Sequence, residues 1–393
     1  MLISDTIYFD HNASTPPDAS VVEEMLPFFA ESFANPHSVD HALGWRAARA
    51  IERASMRIAA LFGCDADEVI FTSGATEANN LAVLGTLGGT TGDRRRIITT
   101  AIEHKSVLSI GRVLEAQGCC VDFATVDREG RIDDLKLKEM LDDDVLLVSF
   151  AAVNSEIGTL QPIAEISEHV AAVGALLHID AAQAPLAMSV YGLLDLCDFA
   201  SVSAHKMYGP QGVGALLVRR ESQRHLAPVI HGGGQQNGLR SGTLPLALCA
   251  GFGKAAELLG DEHDQRRARE ALAGVRNLLF ETLKSEVPGL VLNGPSLSGA
   301  RHPGNLNVRL PGCEAQDILT LVQPHLAAST GSACASGIPE PSHVLTGIGQ
   351  SRTEAAAGLR FGVGRYSTPD QARQAATMIG DAIRSFASES LAE

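Results

Sequence analysis

Residues 175–183 read Ala-Leu-Leu-His-Ile-Asp-Ala-Ala-Gln, an apolar run closed by a carboxylate, Asp180, with an amide, Gln183, soon after. On either side of it, short β-rich runs alternate with helical stretches. The runs are Glu68–Phe71, Arg96–Thr99, Val145–Ala151, Leu176–Ile179, Phe199–Val202 and Gly214–Val218. That alternation predicts an α/β architecture with a largely parallel sheet. A short Gly-Pro-rich segment joins the last two runs, so they are expected to form an antiparallel hairpin.

The rest of the chain is built around this block. Asp18–Phe29 and Trp45–Phe62 carry helical periodicity, and Asp18 is a candidate N-cap. Residues 261–293 look like one long amphipathic helix leading into a strand. A Gly/Pro/Ser stretch follows at 294–304, then two-strand patterning and a terminal helix over 369–391. The chain has 393 residues, which suggests about two domains. The expected division is a large domain over 16–260 and a smaller α+β domain formed by 1–15 and 261–393.

Composition excludes several classes. Hydrophobic residues make up 45% and charged residues 20%, as in an ordinary globular enzyme. A formal net charge of -15 argues against direct nucleic-acid binding. The start, Met1-Leu2-Ile3-Ser4-Asp5, has no basic region followed by an apolar stretch, and the apolar runs are too short to cross a bilayer. The chain has 7 cysteines, an odd number, scattered and without a CxxC pair. That argues against a disulfide framework or a metal site and predicts a reducing, cytoplasmic setting.

Polar clusters stand at the predicted strand ends, where open α/β sheets bind ligands. Thr72-Ser73-Gly74-Ala75-Thr76-Glu77 follows a strand and opens a helix, an arrangement that can hold an anion; ordinary N-capping selects the same residue types. Asp180 needs a cationic partner if it is buried, and a protonated pyridine nitrogen is one; a helix N-cap is the alternative. Gln183 can reach a ring oxygen. Lys206, in Ser203-Ala204-His205-Lys206, ends a β-run before a tight turn, and a walled-in lysine can form a Schiff base. Taken alone, such a lysine is usually solvated. Ser203 and His205 suit a phosphate. His104 can stack on an aromatic ring and move protons, or be a structural histidine. Asn154 lies just past another apolar strand. A Schiff-base lysine with an aspartate for a pyridinium is the pair that pyridoxal 5'-phosphate requires.

In this order, the residues resemble the fold-type I pyridoxal-phosphate enzymes. The similarity narrows to the cysteine desulfurases of the NifS/IscS-like class within the class V aminotransferase family. It rests on YFDHNAST (8–15), NPHSV (35–39), FTSGATEANNLA (71–82), EHKSV (103–107), NSEIGTLQPI (154–163), DAAQ (180–183), SAHKMYGPQGVG (203–214), GGGQQNGLRSGT (232–243), GSACASG (331–337), PSHVL (341–345) and LRFGVGRYST (359–368). Ser155 stands where the family often has asparagine.

The resemblance implies a mostly parallel seven-stranded sheet in the large domain and a homodimer. It implies that Lys206 holds the cofactor, Asp180 faces the ring nitrogen, His104 stacks on the ring and Gln183 bonds its oxygen. Gly74, Ala75, Thr76, Ser203 and His205 would bind the phosphate, and Thr243 would reach the phosphate of the neighbouring subunit. Asn154 and Arg360 would take the carboxylate of L-cysteine. Cys334, on a loop over about 327–340, would be the nucleophile, become a persulfide and pass its sulfur to a protein acceptor, as in iron–sulfur cluster assembly. Lys206, His104 and Cys334 would be the catalytic groups.

The residues around Cys334 add a physical reading. Ala327–Gly337 is small and glycine-rich, which predicts an exposed, mobile thiol rather than a buried one. Three other activities remain open at this point: a selenocysteine lyase, an ordinary class V aminotransferase, and a sulfur-relay or scaffold subunit without catalysis.

Overall fold

The computed structural model describes residues 1–90, 92–331 and 341–390. Cys334 lies outside the described residues. A seven-stranded sheet forms the centre of the described chain. Its strands are β1 (Val69–Thr72), β2 (Arg96–Thr100), β3 (Cys120–Ala124), β4 (Val145–Ala151), β5 (Leu176–Asp180), β6 (Phe199–Ser203) and β7 (Gly214–Val218). They lie in the order β1-β7-β6-β5-β4-β2-β3. Only β7 runs antiparallel to its neighbours, and its pairing with β6 is the hairpin expected from the sequence. The other pairs are parallel. The fold is therefore the mostly parallel α/β fold expected. Strand β3 has no counterpart among the runs read from the sequence. It is an edge strand whose exposed Phe123 and Cys120 blur the apolar signal.

Helices cover both faces of the sheet and bury two apolar layers. One gathers Phe62, Phe71, Phe150 and Phe252; the other gathers Leu81, Ile110, Phe199 and Leu216. Burial on both faces explains why β5 reads as an apolar run without polar alternation. The helices that matter for the site are α1 (Ala42–Phe62), α2 (Ala75–Gly89), α3 (Lys105–Ala116), α4 (Leu246–Leu258) and α5 (Glu262–Glu286). Helix α1 ends at Gly63 in the left-handed conformation, φ 69°, where a glycine meets no Cβ penalty. Asp18 caps its helix by accepting from the Ser20 N–H, as expected. That helix stops at Met25, however, and a separate turn starts at Pro27, because proline lacks the N–H needed to continue the ladder.

A second core lies apart from the sheet. Ile7 and Phe9 from the N-terminus pack with Leu279 and Leu283 of α5, Leu306, Phe361 and Ile379. Three more strands, β8 (Val291–Leu292), β9 (Asn305–Arg309) and β10 (Gly358–Gly362), form an antiparallel sheet in that core. The short helix α6 (His343–Gly347) precedes β10, and the terminal helix α7 (Pro369–Ser390) packs along α5. Residue 10 bridges to Gly362, which ties the N-terminal strand region to β10.

Candidate active site

The carboxyl ends of β4, β5 and β6 open into a cavity of about 630 Å³, of the size that holds a small-molecule cofactor with its substrate. Ala151, Asp180 and Ser203, the last residues of these strands, line it. So do the first residues of α2 and α3, and Arg360 on β10 closes it from the second core.

Helix α2 begins without a side-chain cap, so its first N–H groups are left for another acceptor. Gly74, at its N-cap, has φ 151°, and an added Cβ would stand 3.7 Å from Ser203 Oγ. Gly74, Ala75 and Thr76 line the cavity with Ser203 and His205. Ser203 Oγ and His205 Nδ1 lie 2.8 Å apart. Burial, helped by the neighbouring Lys206 charge, lowers the His205 pKa to about 4. Together these residues form a cradle of N–H, hydroxyl and imidazole groups suited to a phosphate.

Asp180 is buried and accepts from Asn79 Nδ2 at 2.8 Å and from the Ala182 N–H at 3.0 Å. Among the described residues no cationic side chain comes within ion-pair distance of it. A buried carboxylate left this way lacks the counter-charge that its burial demands. Gln183 is also buried at the wall and donates through Nε2 to the Asn12 carbonyl at 2.8 Å.

Lys206 lies in the turn after β6 and faces the same cavity as Asp180. Its Nζ donates to the carbonyls of Asn12 and Ala13, at 2.6 and 2.8 Å. Burial is the main cause that lowers its pKa to about 8, with Arg360 adding to it and Asp10 and Asp180 opposing. A lysine in that range is neutral often enough to act as a nucleophile and base. His104 caps α3, with Nδ1 3.1 Å from the Ser106 N–H and 2.7 Å from Ser106 Oγ. Its pKa is lowered, chiefly by burial.

Arg360 is almost fully buried. It donates to the Ser155 carbonyl at 3.2 Å and to Asp10 Oδ1 at 2.8 Å, while its Nε has no partner. Asn154 is partly committed to the fold. Its Oδ1 accepts from the N–H groups of Glu156 and Ile157, and its Nδ2 donates to the Ile102 carbonyl. One Asn154 N–H remains for a ligand.

Thus Gly74, Ala75, Thr76, His104, Asn154, Asp180, Gln183, Ser203, His205, Lys206 and Arg360 all line one cavity. Thr243 does not. It is exposed, in the segment whose Arg240 pairs with Glu77 of α2 at 2.7 Å. Ser329 and Gly331 on one side of the 332–340 segment, and His343 and Val344 on the other, line the cavity wall.

A model of the class-V aminotransferases matches residues 7–374. The cysteine desulfurase IscS of Rickettsia typhi is 41% identical over 381 residues, covering 95% of this chain and 90% of its own. The chain belongs to the NifS/IscS-like cysteine desulfurases of the class-V aminotransferase family. A solved NifS-like protein of this family superposes with a TM-score of 0.88 at 32% identity, covering 97% of this chain and all of its own. SspA, solved in complex with cysteine, gives 0.80 at 34% identity over 92% of this chain and 99% of its own.

Sequence reasoning assigned no role to several groups that this desulfurase fold brings to the wall. Asp10 and Asn12 stand in a motif quoted above, but their contacts with Arg360 and Lys206 cross more than 190 residues of chain. Glu103 is fully buried, within 2.5 Å of Thr100 Oγ1 and accepting from the Ala151 N–H. Its pKa is pushed up to about 8, mainly by burial. Glu156 is also buried with a raised pKa, burial again being the main cause, and it accepts from the Ser342 hydroxyl.

Proposed function

We infer that this protein is a pyridoxal-phosphate-dependent cysteine desulfurase that converts L-cysteine to L-alanine and leaves a persulfide on Cys334. One observation carries the reading: a low-pKa lysine, Lys206, and a buried carboxylate without a cation, Asp180, face one cavity beside an uncapped helix N-terminus.

The donor set fits the cofactor. The α2 N-terminus, Thr76, Ser203 and His205 suit a phosphate with its charge, and the absent Cβ of Gly74 leaves room beside them. Asp180 would supply the negative partner for a protonated ring nitrogen, and His104 and Gln183, on the same cavity wall, would hold the ring and its oxygen. Bound there, pyridoxal phosphate would supply an electron sink for the substrate's α-carbon.

The chain's own residues do the rest. Arg360 and the remaining Asn154 N–H bind and orient the substrate carboxylate. Lys206, partly neutral near pH 8, takes the α-proton. His104, on the wall of the same cavity, moves a proton during these steps. Cys334, as thiolate, attacks the substrate sulfur; the carbon–sulfur bond breaks, a sulfur–sulfur bond forms, and the remaining three-carbon unit is protonated to alanine. A protein thiol then accepts the outer sulfur, for iron–sulfur cluster assembly or another sulfur-consuming reaction. The cysteines among the described residues are free thiols, consistent with a reducing, cytoplasmic setting. No helix of the described residues is long and apolar enough to cross a membrane.

Two features of the assembly belong to the same proposal. Leu26, Phe29, Phe33, Val39 and Trp45 are exposed along residues 26–45, and we assign this apolar surface to a homodimer that brings Thr243 to the partner's phosphate cradle. The large domain spans 16–260 and the smaller one 1–15 with 261–393.

Borohydride reduction of the protein saturated with pyridoxal phosphate, followed by peptide mass spectrometry, tests the cofactor assignment. The reduced pyridoxyl mass is expected on the peptide containing Lys206. A label on another lysine, or none, contradicts it.

A further inference from the structure

Asn79 and Ser106, neither of which faces the cavity, join two groups that do. Asn79 sits on α2 with no exposed surface, and its Nδ2 lies 2.8 Å from Asp180 Oδ2 and 2.8 Å from Ser106 Oγ. Ser106 Oγ in turn lies 2.7 Å from His104 Nδ1. The chain of contacts runs from β5 through α2 to the start of α3.

Its direction follows from one fixed point. An ionised carboxylate only accepts hydrogen bonds, so the Asn79 atom against Asp180 is the amide nitrogen. The second N–H of that nitrogen then donates to Ser106 Oγ. The Ser106 hydroxyl hydrogen is left to donate to His104 Nδ1. An independent contact agrees: the Ser106 backbone N–H, which can only donate, also points at Nδ1, at 3.1 Å. Nδ1 therefore accepts twice and carries no proton, and the neutral ring bears its hydrogen on Nε2. Asn79 Oδ1 is buried without a partner, so this side chain is held through its N–H groups alone.

We propose that Asn79 is a positioning residue that anchors Asp180 and, through Ser106, holds His104 in its Nε2–H tautomer. Protonating Nδ1 would require the Ser106 hydroxyl to turn away while still accepting from Asn79, so the relay also opposes the doubly protonated ring. Other titratable groups act on the imidazole: Asp180 on β5, Lys206 after β6, His343 on α6 and Lys105 on its own helix. The side chains of Lys206, His343 and Lys105 bond neither Asn79 nor Ser106, and Ser106→Ala leaves the Asn79–Asp180 contact in place, so that variant separates the relay from the charge of Asp180. The catalytic consequence rests on the functional reading above: His104 enters turnover as a proton donor at Nε2.

The test is nitrogen NMR of the pyridoxal-phosphate-loaded protein labelled in its histidines, with His104→Gln identifying the signal. In the wild type, Nδ1 is expected unprotonated and Nε2 protonated at neutral pH. Asn79→Leu and Ser106→Ala are expected to raise the His104 titration midpoint by half a pH unit or more, about threefold in the protonation equilibrium. Ser106→Thr, which keeps the hydroxyl, is expected to restore the wild-type midpoint. A wild-type ring protonated at Nδ1, or a midpoint unmoved by both Asn79→Leu and Ser106→Ala, overturns the proposal. Should Asn79→Leu not fold, the Ala and Thr variants of Ser106 decide. Failure of the wild type to develop the cofactor's visible absorption counts against the functional reading instead, and the tautomer can still be read in that protein.

Discussion

Arg360 and Asp10 form an ion pair at 2.8 Å on the wall of the cavity. The pair joins β10 to the N-terminal segment, and it occupies an N–H that a substrate carboxylate would use. Asp10 thus orients the guanidinium and also competes with the ligand. Competition is expected to dominate, because the Ser155 carbonyl holds Arg360 as well. Asp10→Asn should tighten inhibition by L-alanine by about threefold, in line with the ~0.5–1 kcal/mol of a partly exposed pair. Arg360→Ala should raise KM for L-cysteine roughly 30-fold or more, since it removes a charge-assisted contact worth about 2–4 kcal/mol. Weaker alanine inhibition in Asp10→Asn would show that orientation outweighs competition.

The lowered pKa of Lys206 has a direct signature in the cofactor-free protein. Only the neutral amine condenses with an aldehyde. The rate of reconstitution with pyridoxal phosphate should climb with pH and level off above about 8. Stopped-flow absorbance measures it. A midpoint near the ordinary lysine value of 10.5 would contradict the burial assigned to this side chain.

Glu103 makes the stability of the fold fall as the medium becomes alkaline. Its folded pKa, about 8, lies above its ordinary value of 4.5. The folded state keeps the proton while the unfolded chain gives it up, so stability is lost as pH rises between those values, by up to about 1.4 kcal/mol per pH unit. Glutamine at 103 is neutral throughout and can still accept from the Ala151 N–H. Glu103→Gln should therefore melt near the wild type at pH 5 and above it at pH 8–9. A variant that melts lower at both pH values would mean that the carboxylate is ionised and held by its donors.

Gly74 tests the phosphate cradle. Its φ of 151° is unfavourable for any residue with a Cβ, and such strain costs about 1–3 kcal/mol. Gly74→Ala should loosen pyridoxal phosphate roughly 10-fold or more, measured as the cofactor's dissociation constant. Unaltered affinity would place the phosphate elsewhere.

Much of this molecule is legible in its sequence, for a physical reason. Strands buried on both faces, such as Leu176–Asp180, must be apolar along their whole length, and a polar residue at their carboxyl end marks the ligand side. Asp180, Ser203 and Lys206 could be found that way. Strand Cys120–Ala124 could not, because an edge strand with an exposed Phe123 lacks that contrast. The helical periodicity of Asp18–Phe29 continues across Pro27, but the hydrogen-bond ladder breaks there. Asp10, Asn79, Ser106 and Glu103 each have a deciding partner distant in sequence, namely Arg360, Asp180, Asn79 and Ala151, although Ser106 and Glu103 also touch His104 and Thr100 close by. The bond from Asn79 to Asp180, for example, crosses 101 positions, and no local pattern records it.

The central claim is that sulfur leaves L-cysteine for Cys334. The most direct measurement is alanine and persulfide production from L-cysteine by the wild type and by Cys334→Ala, both loaded with pyridoxal phosphate, with intact-protein mass spectrometry of the product. The wild type should gain the mass of one sulfur on the peptide containing Cys334 and release alanine. The variant should hold the cofactor and yield neither product above background. A variant that still makes alanine and sulfide at the wild-type rate would contradict the account.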